Sequence, residues 1–178
     1  IVDMTDYDND NNAANLLFTA TDAAPDTLSV EAGNELYIES GELFTPGGNV
    51  TTGNGGIDIR GTWTATGAEA ISVGGNWNVD PAGTFASASS TVTFSNTTGS
   101  VSVLTGGSDA NHDFHHVILN LTHPNGFLNI ATYDMDINGN LTYTDGYLSP
   151  STNVYLAGNL TIDSVNFNGA DDVGSLIF

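Results

Sequence analysis

Three aspartates near the start of the chain have the spacing of a cation-binding loop. Asp6, Asp8 and Asp10 occupy alternate positions, so a curled backbone could bring their carboxylates onto one hard cation such as calcium. The agreement with calcium loops is partial, because Asn11 stands where those loops carry glycine and Leu17 where they carry the closing glutamate. The segment is predicted to be either a weak calcium site or a solvated acidic lead-in, and no other cofactor is expected.

Asp134 and Asp136 alternate with apolar residues, which places both carboxylates on one face of a strand. Paired carboxylates are the catalytic groups of glycosidases, and Asp58 is the remaining candidate for such a set. A strand whose polar face meets water produces the same pattern. A polysaccharide lyase would also need a basic residue, and the chain has only Arg60. We therefore expect no enzymatic activity.

Four histidines lie close together in the second half of the chain: His112, His115, His116 and His123. His115 and His116 are adjacent, so on a strand their rings would point to opposite faces and could not share a metal ion. Only His112 and His116 have a spacing that allows a shared ion, and then only with Asp109 or Asp113 as a further ligand. Exposed histidines in a turn and at the start of a strand are the simpler interpretation.

Trp63 and Trp77 occur in nearly matching contexts, each two residues after a glycine. Aromatic residues at matching positions of adjacent repeats commonly stack inside a β-solenoid or along one face, whereas exposed tryptophans could form a platform for a sugar. The sequence favours packing and leaves a glycan platform on Trp63 and Trp77 as the alternative.

Five Asn-X-Ser/Thr sequences could carry N-linked glycans: Asn49, Asn96, Asn120, Asn140 and Asn159. Three of them read Asn-Leu-Thr, and a chain of Gly-Asn turns and Thr-rich strands also produces such sequences by chance. Asn140 and Asn159 are predicted to lie on one edge of the fold in successive layers.

The charge balance limits the partners. Twenty-one acidic residues against a single basic one give a formal charge of −20. Nucleic acid is excluded as a partner because phosphate backbones are bound by Lys and Arg, and an anionic membrane surface would repel the chain. Cations, neutral glycans and other proteins remain.

The chain contains no cysteine, so it has neither disulfide bonds nor a thiolate metal site. No apolar run is long enough to cross a bilayer, and membrane insertion is not expected. The sequence shows no basic-then-apolar signal segment and begins at Ile1 rather than Met, which suggests a processed product or a piece of a longer protein.

A sequence repeat predicts the strands and turns that must position these residues. In the segment Ile137 to Tyr143, alternating apolar residues flank a Gly-Asn pair, and Val154 to Ile162 is a close copy. Gly-Asn pairs begin at residues 33, 53, 75, 139 and 158, and the long interval is close to three of the short ones. A repeat of about twenty residues with short strands and Gly/Asn turns indicates a stacked solenoid. The pairs are predicted to line up along one edge.

We therefore predict an all-β solenoid of about seven rungs over residues 28–178, preceded by an acidic lead-in and an apolar capping or donor strand within residues 1–27. Glycine at 21 of 178 positions and the lack of apolar residues at helical spacing support the all-β class. A β-sandwich or jelly roll is the alternative, because it also has short strands at similar spacing.

Three segments resemble the repeats of large secreted β-helical surface proteins of bacteria and archaea, including adhesin-like and autotransporter-passenger-like chains. They are Ser90-Thr91-Val92-Thr93-Phe94, Phe114-His115-His116-Val117-Ile118-Leu119 and Ile137-Asn138-Gly139-Asn140-Leu141-Thr142. The resemblance covers about residues 28–162. It implies a right-handed parallel β-helix exported to the cell exterior as a stalk, surface layer or fibre, and it carries over no catalytic residues.

Apolar segments occur near both ends of the chain, Leu16-Leu17-Phe18 and Leu176-Ile177-Phe178. A solenoid has open ends with unpaired strand edges, so these segments are predicted to join copies of the chain head to tail or by strand donation. The expected function is that of an extracellular structural protein in a cell-surface filament. A glycan-binding adhesin or phage fibre segment is the alternative, and a polysaccharide-degrading β-helix enzyme is less favoured.

Overall fold

The computed structural model describes residues 16–18, 22–23, 27–163 and 175–178. Every regular element in these residues is a β-strand, and neighbouring strands pair in parallel. Sandwiches and jelly rolls are built from antiparallel strands. The predicted all-β solenoid is therefore confirmed and the sandwich alternative is wrong. The described residues include no helix that could span a membrane.

The strands follow one another at short intervals. In chain order they are β1 (Leu16–Phe18), β2 (Asp22–Ala23), β3 (Thr27–Val30), β4 (Leu36–Ile38), β5 (Leu43–Thr45), β6 (Asn49–Thr52), β7 (Ile57–Ile59), β8 (Thr62–Thr64), β9 (Ala70–Val73), β10 (Trp77–Val79), β11 (Thr84–Ala86), β12 (Thr91–Phe94), β13 (Val101–Leu104), β14 (His116–Asn120), β15 (Phe127–Ile130), β16 (Met135–Ile137), β17 (Leu141–Asp145), β18 (Tyr147–Pro150), β19 (Val154–Leu156), β20 (Leu160–Ile162) and β21 (Leu176–Ile177).

The strands stack into four parallel sheets. Sheet I contains β1, β4, β7, β10, β13, β15 and β18, and sheet III contains β3, β6, β9, β12, β14, β17 and β20. Sheet II contains β2, β5, β8 and β11, and sheet IV contains β16, β19 and β21. The chain passes from sheet I through sheet II or IV to sheet III in each turn, here called a coil, so that coil one is β1–β3 and coil seven is β18–β20. The right-handed sense of the coil stays a prediction, in line with the usual crossover between parallel strands.

Coil five differs from the others because it has no strand between β13 and β14. A loop over residues 105–113 takes that place, and Phe114 then forms a parallel bridge with Ile137 of sheet IV. On the other side, the Phe85 N–H of sheet II donates a hydrogen bond to the Asn111 carbonyl at 2.7 Å. Sheets II and IV are thus two parts of one side of the solenoid, interrupted at coil five.

Alternation of apolar and polar residues creates the core, because successive side chains of a strand point to opposite faces. One inward column of sheet III runs through Leu28, Val50, Ile71, Val92, Val117 and Leu141, all buried. Each coil stacks its apolar residues on those of the preceding coil. The result is one continuous hydrophobic core along the solenoid.

Aromatic rings fill the centre of this core. Phe44, Trp63 and Phe85 lie at paired positions of sheet II, and their ring centroids are 4.9 Å and 5.9 Å apart in edge-to-face contacts. Trp77 of sheet I packs against Phe85 at 4.7 Å and against Phe114 at 5.2 Å. Such pairs contribute about 0.5–1.5 kcal/mol each beyond their buried area.

The Gly-Asn pairs form corners at two edges rather than one. The pairs beginning at residues 33, 53 and 75 connect sheet III to sheet I, whereas those beginning at 139 and 158 connect sheet IV to sheet III. The prediction of a single edge is wrong because every corner joins two apolar-polar-apolar strands, so the same sequence frame fits either edge. Asn140 and Asn159 do lie in successive coils on one edge, as predicted.

Asparagine side chains tie these corners together. The Oδ1 atoms of Asn54, Asn76 and Asn140 accept hydrogen bonds from backbone N–H groups of adjacent turns, at Gly33 (2.6 Å), Ser102 (2.9 Å) and Asn159 (3.0 Å). Each bond satisfies a backbone donor where the regular ladder stops. The corner asparagines therefore stabilise the stacking of coils as well as the turns.

Candidate functional site

The hydrophobic core is open to solvent at coil seven. A second inward column of sheet III begins at Val30, passes through coils two to six and ends at Ile162. Val30 is 7% exposed and Tyr143 of coil six is 3% exposed, whereas Ile162 is 46% exposed. An eighth layer stacked on β20 would cover Ile162 as coil seven covers Tyr143.

The predicted contact segment Leu176-Ile177-Phe178 lies at the same end of the solenoid. Its first two residues form β21, which pairs with β19 at the edge of sheet IV. Leu176 packs against the core, Ile177 is partly exposed and Phe178 is 78% exposed. The structure therefore places this segment and Ile162 on one end surface with apolar side chains in contact with solvent.

The other predicted contact segment, Leu16-Leu17-Phe18, is β1. It pairs with β4 in the chain's own sheet I, so it belongs to coil one, upstream of the predicted start of the solenoid at residue 28. Its backbone is thus engaged within the chain, which favours stacking of whole coils over donation of this strand. In sheet III, β3 and β20 are the outermost strands, and each has one neighbour among the described residues.

The suggested glycan platform on Trp63 and Trp77 is wrong, because both side chains are buried. Trp63 is 0% exposed and Trp77 is 1% exposed, and their rings contact each other at 6.1 Å inside the core. The favoured interpretation, packing, is confirmed. Tyr143 is buried as well, and burial raises its pKa.

Aromatic side chains do reach the surface elsewhere. Phe127 and Tyr147 are paired residues on the outer side of sheet I, with centroids 6.5 Å apart and ring planes within 9° of parallel. Tyr155 of sheet IV is also exposed. These residues, rather than the tryptophans, could contact a sugar.

The three candidate carboxylates for glycoside hydrolysis are not brought together. Asp58 lies on β7 of sheet I in coil three, whereas Asp136 lies on β16 of sheet IV in coil six. Three coils at about 4.8 Å each separate them by about 14 Å along the axis. Hydrolysis requires carboxyl groups about 5–9.5 Å apart.

Asp134 and Asp136 instead share a half-buried acidic patch with Asp113. The Asp134 Oδ1 atom accepts a hydrogen bond from the Asn153 N–H at 2.8 Å, and the Asp113 Oδ2 atom accepts one from the Asn138 side chain at 2.9 Å. Burial raises the pKa of Asp136, and the charges of Asp113 and Asp134 raise it further. Through these hydrogen bonds, the Asp134 and Asp113 carboxylates each stabilise a neighbouring corner.

Asp58 is buried although it points outward. Arg60 folds back over it, with Nε and a terminal nitrogen 3.1 Å and 3.0 Å from Asp58 Oδ2, and the guanidinium lies 5.0 Å from the Tyr37 ring. The Asn78 amide donates to the other carboxylate oxygen at 2.9 Å. Tyr37, Asp58 and Asn78 are paired positions of three successive coils, so the only basic side chain of the protein links adjacent coils.

The histidines do not form a shared metal site. His112 is buried, and its Nδ1 lies 3.0 Å from Asp109 Oδ1. The predicted opposite orientation of His115 and His116 is wrong: their ring centroids are 4.3 Å apart, because His115 lies in a bend before β14 rather than in the strand. Among the described residues, no group of three or more His, Cys, Asp or Glu is arranged to hold a metal ion. Asp6, Asp8 and Asp10 lie outside the described residues.

The five glycosylation sequences differ in accessibility. Asn49, Asn140 and Asn159 are exposed, and Asn120 is half-buried at the end of β14. Asn96 is buried: its Nδ2 donates to the Gly74 carbonyl and its Oδ1 accepts from the Thr98 and Gly99 backbones. The Asn96 amide nitrogen, to which a glycan would be attached, is therefore already hydrogen-bonded within the fold. Sequence reasoning missed this role because it depends on contacts with another coil.

The fold and its open end define a repeat β-helical protein with about seven coils. Comparison with models of protein families, with curated proteins and with solved structures gives no match for the chain.

Proposed function

We propose that this protein is an extracellular structural protein, a subunit or segment of a cell-surface fibre in which copies stack end to end. The observation that carries the proposal is the open end at coil seven. There an inward core residue, Ile162, is 46% exposed on β20, whose outer edge has no partner strand among the described residues. Unpaired strand edges and exposed apolar residues favour addition of further strands.

The parallel arrangement makes such stacking directional. Sheet III ends in β20 at one side and β3 at the other, and both strands run in the same direction. A second copy in the same orientation would place its β3 on β20 and continue the sheet. Contacts of this head-to-tail type do not close, so they generate filaments. Seven coils at about 4.8 Å predict an axial repeat of about 34 Å per copy.

The chemistry of the described side chains also favours a structural role. Of the carboxylates considered for hydrolysis, Asp58 lies three coils away from Asp134 and Asp136, and the single arginine is held against Asp58. The polar groups mainly connect one coil to the next. These features stabilise a rod rather than converge on a substrate.

The charge of −20 opposes association, so assembly should depend on counter-ions. Raising the ionic strength screens charges separated by more than about 10 Å at 0.1 M salt, while the apolar contact at Ile162 is unaffected. Filament formation should therefore increase with salt or with divalent cations. The exposed asparagines Asn49, Asn140 and Asn159 are compatible with a glycan coat on an exterior protein.

The experiment is negative-stain microscopy together with sedimentation velocity over a range of protein and salt concentrations. The wild-type chain should form filaments of uniform width. Ile162→Asp should abolish them, because the charge would be buried between copies. Asn129→Asp adds the same charge on the outer side of sheet I, in coil six rather than on the end surface, and should leave assembly intact. A monomer at every concentration and salt condition, or equal loss in both variants, would contradict the proposal.

Glycan binding is the second candidate, supported by the parallel rings of Phe127 and Tyr147 beside the polar residues Asn129 and Ser149. Aromatic faces bordered by polar groups are common in sugar sites. A glycan array with wild-type protein and Tyr147→Ala tests this. Binding that is lost in the variant while the chain remains monomeric would favour an adhesin over a fibre.

A further inference from the structure

Strand β21 already occupies part of an eighth layer of the solenoid. It pairs with β19 of coil seven, on the side formed by sheets II and IV. In sheet III, by contrast, β20 of coil seven is the outermost of the described strands. The end surface is therefore uneven, because the eighth layer is present in sheet IV and absent from sheet III.

A second copy stacked on β20 would need the position that β21 holds. Its Val30 would lie on Ile162 and continue the second inward column of sheet III. Its Leu28 would lie on Leu160 and continue the first. Strand β2 belongs to the same coil as β3 and lies one layer before β5, so it would enter the eighth layer on the side of sheets II and IV.

The two strands would meet at the same register. In coil seven, Val154 precedes Leu160 by six residues. In coil one, Asp22 likewise precedes Leu28 by six. Residue 22 of the incoming copy would therefore fall on Val154, which is already paired with Leu176. Either β2 or β21 has to leave this position.

Strand β21 suits the shared position better than β2. Its two residues are Leu176 and Ile177, and Leu176 packs against the core. The residues of β2 are Asp22 and Ala23. Isoleucine is enriched in strands, whereas aspartate and alanine are depleted. Keeping β2 would also bring an acid to a junction between two chains that each carry a charge of −20.

The backbone of β21 is oriented to receive a further strand. The Val154 N–H donates a hydrogen bond to the Ser175 carbonyl at 2.8 Å. Backbone groups of successive residues in a parallel strand point to opposite neighbours. Those of Leu176 therefore point away from β19, to the outer edge of sheet IV. Strand β5 of the incoming copy supplies the complementary edge, because its Phe44 and Thr45 are the residues that pair with β2.

The fold also accommodates a coil that has no strand on this side. In coil five, the loop at residues 105–113 stands in that position between β13 and β14. The sheets on the two other sides continue through coil five. Coil one of an incoming copy can therefore lose β2 while β3 stays paired with β6.

We infer that copies join by strand donation, in which β21 of one copy replaces β2 of the next and pairs with β5. The donated strand then lies between β19 of its own chain and β5 of the partner copy. The side formed by sheets IV and II runs without a break across the junction, while β3 covers Ile162. This inference rests on the proposed fibre function and specifies the strands that form its contact.

The competing arrangement keeps β2 and releases β21. Ala23 of the incoming copy would then pair with Tyr155 on β19. The two arrangements predict opposite effects of weakening β21. Donation would lose a contact between copies, whereas release would lose a competitor, and assembly would increase.

The first test is the assembly of Leu176→Asp, followed by sedimentation velocity and negative-stain microscopy. The variant should raise the protein concentration needed for filaments about tenfold or more, because a carboxylate would be buried between β19 and β5. Asn129→Asp is the matched control, since it adds the same charge in coil six on the outer side of sheet I. It should assemble as the wild type does. Thermal melting verifies that both variants are folded.

The second test uses cysteine pairs, since the chain contains no cysteine of its own. In Thr45→Cys/Ile177→Cys the two thiols of one chain are six layers apart, about 29 Å. A disulfide needs Cα atoms about 4.4–6.8 Å apart, so it can form only between copies. Oxidised filaments should give a ladder of dimers, trimers and longer species on a non-reducing gel, and each single variant should give dimers at most. Ala23→Cys/Tyr155→Cys is the matched pair for the competing arrangement and should give no ladder.

The outcomes separate this inference from the proposed function. Filaments that cross-link through Ala23→Cys/Tyr155→Cys instead would overturn the inference and leave the fibre in place. Increased assembly of Leu176→Asp would do the same. Absence of filaments in the wild type would contradict the proposed function itself, and strand donation with it.

Discussion

The imidazole of His116 joins coil five to coil six, because its Nδ1 accepts a hydrogen bond from the backbone N–H of Asn140, 2.8 Å away. An accepting Nδ1 carries no proton, so the ring is neutral. Burial lowers the pKa of His116, and the adjacent His115 lowers it further. Protonation would both remove the hydrogen bond and add a charge beside a second imidazole.

We expect the free energy of unfolding to fall as the pH drops from about 7 to about 5. The folded-state pKa of His116 lies below the unfolded value of about 6.5, so the unfolded chain binds more protons in this range. His116→Gln should remove this part of the pH dependence, measured by urea denaturation at both pH values. His123→Gln is the control, because the His123 Nδ1 atom accepts its bond within one turn, from Asn125. Equal pH dependence in wild type and His116→Gln would contradict the assignment.

Arg60→Ala should destabilise the chain by about 1–3 kcal/mol, because it leaves the Asp58 carboxylate, 5% exposed, without its cation. The lower part of this range is expected, since the Asn78 amide still donates to the carboxylate and Arg60 itself is half exposed. Asp58→Asn in the Arg60→Ala background should restore part of the loss. A double-mutant cycle by chemical denaturation measures the coupling, and additive effects would exclude it.

Gly56→Ala should destabilise the chain more than Gly33→Ala. Both glycines have φ of +88°, so either alanine is strained by about 1–2 kcal/mol. A Cβ at Gly56 would also meet the backbone of Asn76 in the next turn, whereas none of the described residues lies within 4 Å of a Cβ at Gly33. Displacing that backbone should cost about 1–3 kcal/mol more. Thermal melts compare the two variants, and equal losses would show that the neighbouring turn is free to move.

Asn96→Ala should cost about 2 kcal/mol, because it removes a buried side chain that is the hydrogen-bond partner of part-buried backbone groups at Gly74, Thr98 and Gly99. Asn140→Ala should cost less, since water replaces the side chain at that exposed corner. Urea denaturation of both variants gives the comparison. A larger loss for Asn140→Ala would contradict the proposed role of Asn96.

Glycans should differ among sites if the folded chain is exposed to an N-glycosylating enzyme. Asn140 and Asn159 should be modified and Asn96 should not, because the Asn96 amide is buried and hydrogen-bonded. Mass spectrometry measures glycan occupancy at each asparagine. The protein must be digested with a protease other than trypsin, because Arg60 is the only site that trypsin would cleave. Modification of Asn96 in folded protein would show that coil four opens.

Local alternation was enough to predict the solenoid, because strands such as Val154–Leu156 and Leu160–Ile162 show the period of two on either side of a Gly-Asn turn. Local alternation could not predict which edge of the solenoid each Gly-Asn corner occupies. Gly75-Asn76 and Gly139-Asn140 have the same local frame but lie on different edges, and the loop at residues 105–113 shifts the phase between them. Spacing alone does not reveal a strand that has been replaced by a loop.

Side-chain contacts between coils were the other limit. Alternation places Asp58 on the outer side of sheet I, which is correct, yet its burial depends on how Arg60 folds over it. His115 lies in a bend that its apolar neighbours do not indicate. In both cases the position of the side chain depends on structure that the alternating pattern of the strand does not encode.

The loop of coil five has a mechanical consequence. Coils four and five are joined by ladders in sheets I and III, but on the third side by the hydrogen bond between Phe85 and Asn111. Stretched along its axis, the rod should open first at this joint, separating the first four coils from the last three while the chain still connects them. A single-molecule pulling trace would then show an early yield followed by two separate unravelling events.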